Sequence, residues 1–115
     1  MNVLLNADNA VIHMDKFINY ALNTEHPIGK HKAYVFRDVL GYTISTAESL
    51  VIKIRDGIYK FPATFKGSDN FGDKYEIIME IEGVNGRTSL VVTCWIIDSG
   101  SDIPRLTSVY IPKKR

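Results

Sequence analysis

Apolar positions along this chain keep two different periods. In the first half they recur every three or four residues, as on one face of a helix. In "MDKFINYALN", Phe17, Ile18, Ala21 and Leu22 share such a face, and Asp15 stands near its start. Pro27 and Gly29 in "HPIG" then break the chain into a turn. A second helix is predicted from about Lys30 to Leu40, with Ala33, Phe36, Val39 and Leu40 as its stripe and Gly41 as its C-cap. A third is predicted over "STAESLVIKIRDG". There Ser45 and Glu48 have capping-box spacing, Ala47, Leu50, Val51 and Ile54 form the buried face, and Gly57 ends the helix.

In the second half the period falls to two. "KYEIIMEIE" sets Tyr75, Ile77, Met79 and Ile81 against Glu76, Ile78, Glu80 and Glu82, the alternation of a half-buried strand. Asn85-Gly86 is a hairpin signal. "TSLVVTCWIID" returns as the partner and is apolar on both faces, so it is expected at the centre of the sheet. "SGSD" turns the chain again, and "PRLTSVYI" follows as a strand that Pro104 can open. "FPATFKG" reads as a weaker strand before the hairpin, and "SDNFGD" as a loop. The outline is an α+β fold: about three N-terminal helices on one face of a three- to four-stranded antiparallel sheet.

The chain has 115 residues, which fits a single domain over residues 1–115. Its formal net charge of +1 rules out a global basic field, so any nucleic-acid contact must rest on a local patch. A single cysteine, Cys94, excludes an internal disulfide. No apolar run approaches the roughly 20 residues that span a bilayer. The opening "MNVLLNADNAVIHM" lacks a basic start and a long apolar core, so no signal peptide is expected. A cytoplasmic protein that does not engage membranes is the simplest expectation.

Packing does not explain every polar residue. His26, Lys30, His31 and Lys32 crowd the turn into the second helix, where lysines oppose the helix dipole and a bound phosphate would offset them. Lys30 and Lys32 point about 200° apart on an ideal helix, so they need not serve one ligand. An exposed turn with solvated lysines is the bland alternative. On the central strand, Leu90, Val92, Cys94 and Ile96 read as the core face. Thr93 and Trp95, with Ser89, Val91 and Ile97, then fall on the open face, where a tryptophan could stack a base. Packing under a loop or a partner would serve Trp95 equally. Arg105 and Thr107 share a face of the following strand. His13 reads as a surface or capping residue, and Glu76, Glu80 and Glu82 as an exposed acidic edge. HExxH, paired CxxC, phosphate-loop and GxSxG motifs are missing, and no metal or cofactor is expected.

"NTEHPIGKHKAYVFRDVLGYT" resembles a family of small bacterial domains whose pattern runs His-Pro-x-Gly-Lys/Arg-x-Lys-Ala, an aromatic pair, then Leu-Gly-Phe/Tyr. "NGRTSLVVTCWIIDSGSDIPRLTSVYI" resembles the same family's ending, a Thr-x-Trp strand and a Pro-Arg-Leu strand. Such domains occur alone or at the C-terminal ends of phage-related and adhesin-like proteins of polymorphic-toxin type. Their layout is similar to the ribonuclease-toxin group of barnase, EndoU, colicin and RelE-like domains. The resemblance implies His26, Lys30, Lys32, Thr93, Trp95 and Arg105 as site residues. With His31 of the basic turn and Thr107 beside Arg105 added, His26, Lys30, Lys32 and Arg105 are expected as catalytic, and His31, Thr93, Trp95 and Thr107 as substrate-binding. The resemblance also implies RNA as substrate, and a cognate small antitoxin or immunity protein as partner.

Two functions follow as expectations. One is a metal-independent ribonuclease toxin, with His26 as general acid or base. The other is a non-catalytic binding module: an antitoxin, an immunity protein or a phage accessory domain. The near-neutral charge favours the second, and the basic turn favours the first.

Overall fold

The computed structural model describes residues 2–113. It is an α+β fold in which two α-helices, α1 (Lys30–Leu40) and α2 (Ala47–Lys60), cover one face of a four-stranded antiparallel sheet. The strands β1 (Ala63–Asp69), β2 (Gly72–Glu82), β3 (Thr88–Asp98) and β4 (Pro104–Tyr110) lie side by side in chain order. Among the described residues, no helix is long and apolar enough to cross a membrane.

α1 has the predicted bounds. Gly41 ends it in the left-handed region at φ 77°, and the N–H groups of Gly41 and Tyr42 close back on Arg37 and Phe36. α2 runs past its predicted end. Gly57 is not a terminator: it lies inside the helix, where an added Cβ would stand 2.5 Å from Met79 Sδ. Its missing side chain lets α2 settle onto β2. The turn before α2 is closed by Thr43 and Thr46 rather than by Ser45 and Glu48, and Thr46 Oγ1 accepts the Thr43 N–H at 2.9 Å.

The expected first helix is a short turn wound as a π-helix over Phe17–Ala21, with the Leu22 N–H bonded to Phe17 O. The expected "SDNFGD" loop is a tight β1–β2 connection at Asn70 and Phe71, in which Asp69 Oδ1 accepts the Phe71 N–H.

The sheet corrects one sequence expectation outright. Thr93 and Trp95 face the helices, 0% and 1% exposed, and Val91 shares their side. The cause is register. A two-residue Asn85-Gly86 turn would pair Val84 with Arg87 and set Thr93 opposite Ile78, on the polar side of β2. The actual loop spans Gly83 to Arg87 and pairs Glu82 with Thr88, so Thr93 lies opposite Ile77 and Trp95 opposite Tyr75. A one-residue shift moves every side chain to the other face. α1 helps fix this loop, for Asn85 Nδ2 donates to Val39 O and Gly83 lies against Leu40 O.

Two edge-strand irregularities matter below. β1 carries an extra residue, Lys66, between the pairs Phe65–Tyr75 and Gly67–Lys74. β4 carries an extra residue, Thr107, between the pairs Leu106–Trp95 and Ser108–Cys94.

Candidate functional site

The N-terminal segment reaches both edges of the sheet. Asn2 O accepts the Ala63 N–H at the start of β1. Val11 then forms a parallel bridge to β4: its N–H donates to Pro104 O at 2.8 Å, and its carbonyl accepts the Leu106 N–H at 3.0 Å. Arg55 Nη1 donates to the neighbouring Ala10 O at 3.1 Å. These bonds set His13, two residues on, beside β4, and the π-helical turn that follows lies against the same strand.

Between that turn and β4 opens a cleft of about 470 Å³. His13, Asp15, Lys16, Asn19 and Tyr20 line one wall, Lys32 enters from α1, and Thr107 and Ser108 stand on β4. The Lys32 ammonium lies 4.8 Å from the centre of the Tyr110 ring, a cation–π contact that holds it over the end of β4. One imidazole, two ammonium groups and three hydroxyls therefore share one concavity with a single carboxylate, Asp15. That set suits an anionic oxygen ligand and can move a proton. Among the described residues, no three His, Cys, Asp or Glu side chains group as a cation site.

Of the eight sequence candidates, the cleft gathers Lys32 and Thr107. Thr107 sits there because of the β4 bulge, and its hydroxyl donates to Cys94 O at 3.1 Å. His26 is committed to the turn: its Nδ1 accepts the N–H groups of Ile28 and Gly29 at 3.0 and 2.9 Å. That bonding places the ring proton on Nε2. The ring packs edge-on to Tyr20, centroids 4.7 Å apart, so His26 supports the cleft wall from behind. Lys30 and His31 are exposed on the first turn of α1.

The other three candidates are structurally engaged. Trp95 Nε1 donates to Thr93 Oγ1 at 2.9 Å, and Thr93 Oγ1 donates to Ile77 O at 2.8 Å. Both side chains are buried under the helices, which corrects their assignment to an open, substrate-facing surface. Arg105 grips Asp98 with two hydrogen bonds, of 3.2 and 2.9 Å. The guanidinium holds the Asp98 carboxyl below its usual range. None of His26, Thr93 and Arg105 lines the cleft that Lys32 enters.

His13 is the residue that sequence reasoning set aside. It lies in "VIHMDK", and only the pairing of Val11 with β4 brings it to the cleft. Cys94 lies half-buried on the opposite sheet face, and burial pushes its thiol up, with Glu76 adding to the effect.

No curated protein matches the chain. No solved structure matches it either. A family described as "Domain of unknown function (DUF6883)" matches residues 3–113, nearly the whole length, and the chain belongs to that family.

Proposed function

We propose that the chain is a metal-independent endoribonuclease, the toxin of a bacterial toxin–antitoxin or polymorphic-toxin system, and that its chemistry lies in the cleft beside β4. The observation that carries this reading is the grouping of His13, Lys16 and Lys32 with the hydroxyls of Thr107 and Ser108. His13 takes the proton from an RNA 2′-hydroxyl, whose oxygen attacks the adjacent phosphorus. The bond from phosphorus to the 5′ oxygen breaks, and that oxygen takes a proton from solvent water. The products are a 2′,3′-cyclic phosphate and a free 5′-hydroxyl. Lys32 and Lys16 stabilise charge on the phosphate oxygens, and Thr107 and Ser108 hydrogen-bond them. The target is cytoplasmic RNA, and a small antitoxin or immunity protein neutralises the activity in the producing cell.

The test is direct. Purified protein, incubated with RNA in the presence of a chelator, leaves cyclic-phosphate ends, and induced expression arrests bacterial growth. Intact RNA together with unchanged growth would refute the reading.

A non-catalytic binding module is the second reading. Ile28, 75% exposed at the tip of the basic turn, favours it, since a large exposed aliphatic side chain suits a protein partner. Trp95 offers no such surface. On this reading Ile28→Asp breaks a complex with the partner, while His13→Ala leaves it intact.

A further inference from the structure

We propose that the sheet face opposite the helices holds a second nucleotide-binding site, one that takes the single-stranded RNA continuing out of the cleft; this rests on the ribonuclease reading. A trough of about 430 Å³ crosses that face, lined by Lys66, Lys74, Glu76, Cys94, Ile96 and Thr107 among others. Thr107 borders both concavities, so one strand of RNA can pass from cleft to trough over β4.

Two bulges build the site. Lys66 is the extra residue of β1 and Thr107 the extra residue of β4, and both line the trough. A bulge re-aims a side chain that regular alternation would send elsewhere. Here the irregular residues of both edge strands border one hollow.

Charge argues for the occupant. The chain carries 14 Lys and Arg against 13 Asp and Glu. Lys16, Lys32, Lys66 and Lys74 line the two concavities with only Asp15 and Glu76. Among the described residues outside these concavities, eight cations stand against eleven acids, so the two hollows are more positive than the rest. Lys74 lies 2.8 Å from Asp69 in an exposed pair, which a phosphate can displace at little cost. Glu76 repels phosphate from the middle of the trough and keeps the backbone on the lysine side. Ile96 and Cys94 then offer an apolar floor to a sugar or base.

The test compares a 2′-O-methyl dinucleotide with an octamer by fluorescence anisotropy across a salt series. Wild type and a Lys66→Ala/Lys74→Ala variant are measured, with cleavage of unmodified RNA by both in parallel. Both side chains are exposed, so the variant folds. The expected result is an octamer affinity lower by about fivefold, with a much smaller change for the dinucleotide. The salt slope for the octamer becomes shallower by about 1.4, which is two lost phosphate contacts at ~0.7 each. A variant that binds the octamer as wild type does, or that loses the dinucleotide equally, overturns the second site. If wild type still cuts RNA in that case, the cleft reading stands. Wild-type protein that neither binds nor cuts RNA overturns both.

Discussion

Thr93 shows how one residue can mimic a functional group in a sequence and be structural in the fold. Its hydroxyl links a buried indole N–H to a strand carbonyl, and both side chains of the pair are out of reach of solvent. Thr93→Val keeps the shape and leaves the Trp95 N–H without a partner, at a cost of ~1–3 kcal/mol. A lower urea midpoint with an unchanged slope is the expected outcome, and an unchanged midpoint would contradict it. His26 behaves in the same way. It closes the turn into α1 through Nδ1, so His26→Ala destabilises the fold by ~1 kcal/mol, as the loss of a cap does. A thermal melt of the variant checks this. At this scale the sequence shows which residues packing alone leaves unexplained, and it leaves two answers open. His26 and Thr93 turn out to have local hydrogen-bond duties, whereas His13 has a place in the cleft. That place depends on a contact between Val11 and β4, and no local pattern encodes it.

Among the elements, periodicity was a good guide to existence and a poor guide to register. α1 and the strands β2, β3 and β4 lie close to where the alternations put them. The inward side of β2 was legible too, since Ile77, Met79 and Ile81 are buried. The inward side of β3 was not, because it depends on whether the Asn85-Gly86 turn counts two residues or belongs to a longer loop. The bulges at Lys66 and Thr107 were likewise invisible, for an inserted residue resembles a lapse in alternation. Cys94 reports on the resulting open face. Burial raises its thiol first and Glu76 raises it further, while Lys32 and Lys66 pull the other way. Iodoacetamide should therefore alkylate it more slowly at neutral pH than it alkylates a free cysteine. Glu76→Gln should speed the reaction and Lys66→Ala should slow it. A rate equal to that of free cysteine would contradict this placement.

For the whole molecule, an almost neutral chain sets four lysines against two acids along two hollows that share Thr107. The α+β class and the layering of helices on one sheet face were readable from the sequence. The candidate site was readable only in part. Lys32 and Thr107 reach the cleft, while the other members of the sequence set are buried, ion-paired, committed to a turn or exposed elsewhere. Long-range closure made the difference, because the N-terminal segment, α1 and β4 meet only in the folded chain. On the proposed function, the cleft acts through His13 and not through His26. The measurement that tests it is the turnover of one RNA oligonucleotide by wild type, His13→Ala and His26→Ala, at a temperature where all three are folded. The expected result is a loss of about 10²- to 10⁴-fold for His13→Ala, the worth of a general acid or base, and no comparable loss for His26→Ala. Wild-type turnover by His13→Ala, with activity lost in His26→Ala, would contradict it.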